Sequence, residues 1–526
     1  MIDFLNNNYK KIIGYGLPVL GIMLLLYYIF FCGKTELHAD CMDTLMWANA
    51  SFESGSLFDR DFNYACLLPF GGQLLMQPFL YIFGLSYKAH IFGMVLFIIL
   101  FELSLIFMLR GMGISHFKTG ALTFGVLMFV CSSKKLREIF LGHIIYYSLG
   151  LLFLFVGMGL IFRIINCYDK KSKKATVFAA LTFVWTMFCA SDGIQALTIY
   201  ILPAVFSIIA YIILDLDNEL ISTKNVFKVQ LSAVILMAAV CGLVIVSFLA
   251  NGVTQSYASA YSRFNNSKVW FENLSTLLSC HYTLLGVDVN DKMDIMSFEG
   301  VINILRIIFA TIVCVAPFFG FIFYTKIKNK YTKMFLLAYA AIYILIMIAW
   351  VFGKISGVNW RLTPIEVTGF IVTVLLIYEL IDSTYIRLGG TLVIPLVLFC
   401  LISGGSVLGI STNYKAENKI FKEIQLLEDN GCTYGYATFW NANPVTVLTE
   451  NKIKVRGMDV KDGKVVTRTY QSCERWYDGK TAKGEKYFIL LTEKEYRNFE
   501  ISEYPVDKII EKDGFVLITL RKNIIF

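Results

Sequence analysis

The sequence has little charge and little proline. Only 16% of its 526 residues are charged, against about a quarter in soluble domains, and 57% are hydrophobic. This balance argues against a chain that is soluble over most of its length. With 9 prolines and no low-complexity tract, long disordered linkers are also not expected.

Several short motifs with known chemistry are absent as well. The 12 cysteines include no CxxC pair, and most of them lie in apolar segments, where cysteine behaves as a small hydrophobe. Cys432 and Cys473 fall in the C-terminal region, where the sequence leaves open a disulfide or two free thiols. That region also lacks a Gly-rich phosphate loop, so nucleotide binding there is unsupported.

Long apolar runs dominate what is present. A membrane-spanning helix needs about 20 apolar residues, and we count about eleven candidate runs. They lie at 12–32, 86–109, 117–133, 141–163, 176–191, 194–214, 229–250, 301–324, 334–352, 365–381 and 389–410. The first run is too long for the apolar core of a signal peptide, so we expect a retained span. A further stretch, 67–83, is broken by prolines and glycines and is expected to be interfacial or re-entrant.

The loops between these runs differ in charge, which predicts the orientation. Lys and Arg crowd the loops 163–174 and 326–333, and such loops face the cytoplasm. Both fall on the same side as Lys10 and Lys11, so the N-terminus is expected to be cytoplasmic. The loops 33–85 and 251–300 and the C-terminal region then lie outside. The net charge of +8 is accounted for by these loops and does not indicate nucleic-acid binding.

The C-terminal region has the pattern of a small soluble domain. An amphipathic helical pattern over 416–427 is followed by alternating strand-like and helical runs. The strand-like runs are 433–439, 452–455, 487–492, 508–511 and 515–520, and the helical ones are 443–449 and 493–499. We therefore expect a polytopic α-helical membrane module, 1–410, with a small extracytoplasmic α/β domain, 411–526.

Two carboxylates and a histidine follow the first span directly, at His38, Asp40 and Asp43. The two aspartates would share one face if a short helix begins near Asp40. The alternative is that one of them caps an interfacial helix. The broken apolar segment that follows favours a functional role over capping.

Two further outside loops carry positive charge on the unexpected side of the membrane. The second outside loop contains Lys134, Lys135 and Arg137, followed by Glu138 and His143. An anionic lipid phosphate would explain such cations. The alternatives are that they reach bulk lipid headgroups without a specific ligand, or that the predicted orientation is wrong.

The third basic loop contains Asn359, Trp360 and Arg361. Arg361 suits bidentate contact with a phosphate, whereas Trp360 is also typical of a membrane-interface anchor. Asp192 lies at a very short outside turn, where it is either a turn residue or part of the same cavity.

The first outside loop resembles that of the GT-C superfamily of membrane glycosyltransferases. The matching features are Asp40 with Asp43, a helical run with Trp47 and Ala50, and the apolar segment from Leu68-Pro69-Phe70-Gly71-Gly72 to Pro78-Phe79. The basic second loop and the outside C-terminal domain also fit the family plan. The chain departs from it at Asp40-Cys41, where many members have Asp-Glu. It also lacks the Trp-Trp-Asp signature of oligosaccharyltransferases, which argues against an asparagine acceptor.

The resemblance implies a polytopic enzyme that takes a sugar from a polyprenyl-phosphate carrier at the extracytoplasmic face, with inversion. The acceptor would be a glycan, lipid or protein of the cell envelope. The implied general base is Asp40, with Asp43 as second choice. The candidates for the donor phosphate are Lys134, Lys135, Arg137 and Arg361, and further pocket candidates are His38, Glu138, His143, Asp192, Asn359 and Trp360. No cofactor is certain, and a divalent cation (Mg or Mn) is used by only some branches.

Three other functions remain open at this point. A flippase or transporter of lipid-linked glycans would carry charged residues within its spans. A polymerase or ligase would use lipid-pyrophosphate oligosaccharides and share the basic outside loops. A sensor or assembly protein would bind a partner through the C-terminal domain.

Overall fold

The structure is a computed structural model that describes residues 2–68, 72–215, 223–256, 263–478, 483–524 and 526. Pro69, Phe70 and Gly71 of the segment quoted for the resemblance lie outside the described residues.

The membrane module is helical throughout. Its helices are α1 (Ile2–Tyr27), α2 (Asp43–Ser54), α3 (Gly72–Phe83), α4 (Tyr87–Gly111), α5 (His116–Val130), α6 (Tyr146–Asp169), α7 (Lys174–Ala190), α8 (Leu202–Leu214), α9 (Thr223–Leu249), α10 (Trp270–Leu284), α11 (Phe298–Ile322), α12 (Lys330–Val351), α13 (Thr363–Ile381) and α14 (Ile386–Leu408).

Eleven apolar helices coincide with the eleven predicted spans. Within the described ranges, nine helices are long and apolar enough to cross a membrane, and α5 and α7 are two shorter apolar ones. Helical turns extend three of the nine beyond the bounds given above. The first span runs to Glu36, the span that ends in α8 begins at Ile194, and the span that ends in α13 begins at Asn359. The prediction of a polytopic helical membrane module is confirmed.

Side-chain caps determine where several of these helices begin. Ser86 Oγ accepts a hydrogen bond from the Ala89 amide at the start of α4, and Ser297 Oγ accepts one from the Gly300 amide at the start of α11. Such caps satisfy backbone donors that the helix itself leaves free, and each contributes about 1 kcal/mol.

The apolar segment that was expected not to span is in part helix α3. Its 12 residues rise about 18 Å, well short of the roughly 30 Å of a hydrocarbon core. The helix packs against its neighbours: Gln77 Nε2 donates to the Ala48 carbonyl in α2 at 2.7 Å, and Phe83 stacks on Phe92 of α4. Its length agrees with an interfacial or re-entrant position.

The loops gather into two groups at opposite ends of the helix bundle. One group joins His38 to Glu138 and Lys135 to Trp360, with an isolated strand bridge between Phe264 and Gly353. The other group contains the ion pairs Lys118–Asp382, Lys330–Asp169 and Lys333–Asp215. The groups match the outside and inside loops of the sequence analysis, so we refer to these ends as the outer end and the inner end.

The C-terminal domain is built on one mixed sheet. Its strands are β1 (Tyr434–Thr438), β2 (Lys454–Lys461), β3 (Lys464–Thr467), β4 (Tyr487–Thr492), β5 (Val506–Lys512) and β6 (Phe515–Leu520), with helices α15 (Lys419–Asp429) and α16 (Phe439–Leu448). The order is β3-β2-β1-β4-β6-β5, and β1 is parallel to both β2 and β4. The expected small α/β domain is present. Cys432 and Cys473 are both buried free thiols, so the disulfide alternative is wrong.

One strand was not predicted. β3 pairs with β2 through a tight turn at Asp462 and Gly463, and both turn residues have positive φ. Asp-Gly is the sequence signal for such a hairpin. The strand was missed because β3 has only four residues, and the signal lay in the turn.

The domain docks on the first outside loop through residues 471–475. The Gln471 amide donates to the Asn63 carbonyl at 2.9 Å, and the Asn63 amide donates to the Ser472 carbonyl at 3.0 Å. Arg475 Nη1 lies 2.6 Å from the buried carboxylate of Asp59. A charged pair with one buried partner, flanked by backbone hydrogen bonds, fixes this loop against the domain.

Candidate functional site

The outer end contains a cluster of charged side chains centred on Glu138. This residue follows a helical turn, Lys134–Arg137. Ser133 Oγ caps the start of the turn by accepting a hydrogen bond from the Leu136 amide. One carboxylate oxygen accepts from Lys135 Nζ and from His38 Nε2, the latter at 3.1 Å. The other lies 3.5 Å from His143 Nε2. A local turn therefore presents a carboxylate to the first outside loop.

Glu138 is charged in spite of its burial. Only 9% of its side chain is exposed. Burial alone would raise its pKa, but the hydrogen bonds from His143 and His38 outweigh that effect and hold the pKa well below its ordinary value. The neighbouring side chains of the cluster thus favour the ionised form of Glu138.

His38 is the second member of the cluster. Burial disfavours its cationic form, but hydrogen bonds with Cys41 and Glu138 outweigh burial and raise its pKa to about 10. Its Nδ1 is buried with no hydrogen-bond partner in the described part of the chain, and it lies 4.0 Å from Asp40 Oδ2. The Trp440 ring of the C-terminal domain is close by, with ring centroids 6.1 Å apart.

Asp40 is the most accessible carboxylate of the cluster. It lies in a short 3-10 turn, Ala39–Met42, and 38% of its side chain is exposed. Helix α2 starts three residues later at Asp43. Neither the 3-10 turn nor α2 has a side-chain hydrogen bond that caps its start. The capping alternative is therefore wrong for both aspartates.

Asp43 points to the C-terminal domain instead. Its Oδ2 accepts from Gln471 Nε2 at 2.8 Å, and the Gln471 side-chain oxygen accepts from Trp47 Nε1. Burial, reinforced by the charge of Asp40, raises the pKa of Asp43 well above its ordinary value. Asp43 is 8% exposed and Asp40 is 38% exposed, so accessibility to an acceptor favours Asp40 over Asp43 as the base.

Three of the candidate residues fit a divalent cation. His38, Asp40 and Glu138 each offer one ligand atom, and these atoms lie within 4.8 Å of one another. His38 Nδ1 has no partner among the described residues and lies 4.0 Å from Asp40 Oδ2, which agrees with a shared ion, and binding of the ion would release a proton from His38. One nitrogen with two carboxylate oxygens suits Mn²⁺ or Zn²⁺ better than Mg²⁺, which prefers an all-oxygen set.

The cavity beside the cluster is small. Its lining includes Glu36, Cys41, His90, Lys134 and Glu138, and its volume is about 20 Å³. Roughly 10–15 Å³ is enough for one water, so the cavity admits a water or an ion. It accommodates neither a monosaccharide nor a longer glycan, so its size does not distinguish between a transferase and a polymerase.

The predicted cations differ in how they are held. Arg137 donates to both oxygens of Glu36, at 2.8 and 2.6 Å, and Tyr28 also donates to Glu36. Lys134 is exposed, and Lys135 lies over the Trp360 ring at 4.4 Å from its centroid. The two lysines thus reach the cluster, whereas a phosphate contact by Arg137 competes with Glu36.

The third loop meets the cluster through Trp360. Asn359 Nδ2 donates to Thr283 Oγ1 of α10 at 3.2 Å, and Arg361 Nη1 donates to the Lys354 carbonyl at 3.3 Å. Neither of these two hydrogen bonds involves a residue of the cluster around Glu138.

Asp192 lies in the turn after α7 and is 4% exposed. Its backbone forms the turn, because the Asp192 amide donates a hydrogen bond to the Cys189 carbonyl at 3.0 Å. Both carboxylate oxygens lack a partner among the described residues, and burial raises its pKa well above the ordinary value. Asp192 is thus both a turn residue and a buried acid.

Sequence reasoning missed three residues of this region. Glu36 stands beside the quoted motif, and its position at the end of an apolar span was the available signal for a buried ion pair. Gln471 and Trp440 carry no such signal, because each meets the first loop across about four hundred residues of chain.

Comparison with known proteins gives similarity to solved structures. No family model matches the sequence, and no curated protein matches it. The crystal structure of the oligosaccharyltransferase from Archaeoglobus fulgidus in the apo form is similar, with a TM-score of 0.48 and 10% sequence identity. The similarity covers 84% of this chain and 64% of that chain, so less than two thirds of the oligosaccharyltransferase is matched. At this level of identity the similarity concerns the fold alone.

Proposed function

We propose that this chain is a membrane glycosyltransferase that moves a sugar from a polyprenyl-phosphate donor to a cell-envelope acceptor at the extracytoplasmic face. The observation that carries the proposal is the meeting of Asp40, Glu138, His38 and Lys135 at the outer end. An accessible carboxylate beside lysines, at the point where spanning helices end, supplies what sugar transfer from a lipid phosphate requires.

Asp40 is proposed as the general base. Its carboxylate is the accessible one, so it can take the proton of an acceptor hydroxyl as that oxygen attacks the sugar. The bond between the anomeric carbon and the phosphate breaks as the new glycosidic bond forms on the opposite face. The phosphate leaves with the pair of electrons, and the configuration is inverted.

Lys134 and Lys135 are proposed to stabilise the leaving phosphate. Their ammonium groups lie on the turn that carries Glu138, and charge placed in advance where negative charge develops lowers the barrier. Glu138 is a positioning residue in this scheme, because it holds Lys135 and His38 in place. A divalent cation held by His38, Asp40 and Glu138 would add positive charge at the same place.

The experiment uses the purified full chain and a synthetic polyprenyl-phosphate-linked sugar with a radiolabelled ring. Release of labelled sugar to water or to envelope extract is measured for the wild type, Asp40→Asn and Asp169→Asn. We expect Asp40→Asn to lose at least about 100-fold in rate, as is typical for loss of a general base. Asp169→Asn, the same change in an inner-end ion pair, serves as the matched control.

Full activity in Asp40→Asn, with unchanged thermal unfolding, would remove the assignment of the base. Movement of the labelled donor across a vesicle membrane without release of sugar would instead support the flippase alternative. Activity with long lipid-pyrophosphate oligosaccharides alone would support the polymerase alternative.

A further inference from the structure

A second cavity lies in the C-terminal domain, away from the cluster around Glu138. It is a groove at the edge of the sheet where β1 and β4 end, with a volume of about 550 Å³. Sites for small molecules commonly measure about 300–1,000 Å³. Its lining includes Lys419, Glu423, Asn441, Lys494 and Arg497.

The topology of the sheet favours a ligand site at this edge. From β1 the chain crosses through α16 to β2, whereas β4 leads to β5 and β6 on the other side. The connections after two adjacent parallel strands thus run in opposite directions. Ligands of open α/β sheets bind at the carboxyl ends of the strands at such a switch point.

A buried acid without a complete set of partners lies in the groove. Glu423 of α15 is 1% exposed, and its Oε2 has no hydrogen-bond partner in the part of the chain that the structure describes. Burial, with a contribution from Glu495, raises its pKa well above the ordinary value. Buried polar atoms without partners are uncommon in folded proteins, so this carboxyl group is available to a ligand.

Three cations line the same groove. Lys419, Lys494 and Arg497 are all exposed, and the described residues include no ion-pair partner for any of them. The acidic groups of the lining, Glu493 and Asp513, are exposed too. The exposed side chains of the lining thus carry three positive and two negative charges, a small positive excess, and the carboxyl group of Glu423 is buried among the lining residues.

The first turn of α16 contacts both the groove and the cluster around Glu138. Asn441, in the first turn of α16, lines the groove. The preceding residue, Trp440, has its ring 6.1 Å from that of His38. A ligand in the groove would therefore lie beside the element that contacts the first outside loop.

We propose that the groove binds an anionic saccharide. The acidic group of the ligand would pair with Lys494 and Arg497, and its ring hydroxyls would form hydrogen bonds with Glu423 and Asn441. A ligand must present a negative charge to the exposed cations and hydroxyls to the buried carboxyl group, and a sugar that carries a carboxylate or phosphate does both. The inference rests on the proposed function only where it identifies this saccharide as the acceptor.

The test is a binding titration of the full chain in detergent with matched charged and neutral probes. The probes are maltotriose with one phosphate, maltotriose itself, and trigalacturonate. We expect saturable binding of at least one charged probe, at least tenfold tighter than that of maltotriose. The double variant Lys494→Ala/Arg497→Ala should weaken this binding at least tenfold, while Lys422→Ala, an exposed lysine on α15 outside the groove, should not change it.

Preference for the phosphate probe or for trigalacturonate identifies the acidic group, and either result supports the groove. Equal binding of charged and neutral probes, no saturable binding, or unchanged binding in the double variant would overturn the proposal. Asp40→Asn separates the two proposals, because it should slow transfer at least about 100-fold and leave binding in the groove intact. If no transfer is found with any donor, binding in the groove still stands or falls by its own titration.

Discussion

The two ends of the helix bundle hold their charges in different ways. At the inner end, Lys330 and Asp169 form a single pair with 38% and 35% of their side chains exposed. At the outer end, Glu138 is 9% exposed and is shared among Lys135, His38 and His143. Exposed pairs contribute roughly 0–1 kcal/mol, whereas buried charge is costly unless it is well paired. The outer arrangement is therefore better explained by chemistry than by stability.

The distribution of buried polar atoms without partners supports the same contrast. At the outer end, His38, Asp43, His143 and Asp192 have such atoms, as do the side-chain amide of Gln73 and the hydroxyl of Ser132. At the inner end, within the described ranges, Tyr324 and Tyr331 have such atoms, and both are hydroxyls. A hydroxyl that lacks a partner has little consequence for charge, whereas an unpartnered acid or imidazole can take up a proton, an ion or a substrate group.

The largest effect is expected for Glu138→Gln. The change keeps the size of the side chain but removes the charge that holds Lys135 and His38, so sugar release should fall by about 10³-fold. Because one partner of a buried pair is removed, the free energy of unfolding should also drop by about 3–5 kcal/mol. Both are measured on the purified chain, by labelled-sugar release and by thermal unfolding. A stable and fully active variant would show that the cluster has only a structural role.

Much of the membrane module is predictable from the sequence, because spanning helices require long apolar runs and leave little freedom of assignment. The sequence predicted all eleven apolar helices. Positive-inside counting also divided the loops into the same two groups that the structure shows at the two ends of the bundle. The positions of Asp40, Lys135 and Glu138 near one another follow from this grouping, because loops on one side of the membrane share a small area.

The partners within the site are not predictable in the same way. Glu138 was a pocket candidate, but its central position depends on which side chains the short turn at 134–138 directs inward. Arg137 was assigned to a phosphate, and the structure gives it to Glu36, since nothing in a single sequence ranks one anionic partner over another. Gln471 meets Asp43 only because the domain folds back onto the first loop.

A smaller effect is expected for Asp43→Asn, and it depends on pH. The folded pKa of Asp43 is raised, so the folded state keeps a proton that the unfolded chain loses above a pKa of about 4. The stability contributed by this proton is complete below that value and is lost as pH rises towards the folded pKa. Each pKa unit of the difference corresponds to about 1.4 kcal/mol.

Thermal unfolding from pH 4 to 8 measures this dependence. The wild type should lose stability relative to Asp43→Asn as pH rises, because Asn is neutral throughout and can still accept from Gln471. Parallel curves for the two proteins would show that Asp43 is ionised in the folded state. It would then rejoin Asp40 as a candidate base.

The smallest effect is expected at the inner end, for Asp169→Asn. Its pair with Lys330 is exposed, so side-chain entropy and solvent screening cancel most of the attraction. The free energy of unfolding should change by less than about 1 kcal/mol, and sugar release should not change. A loss of activity in this variant would remove the distinction between the ends, since an exposed pair far from Glu138 would then affect transfer as the buried cluster does. An unchanged rate here, beside a large loss in Glu138→Gln, places the chemistry at the outer end because both substitutions remove one carboxylate charge from an ion pair.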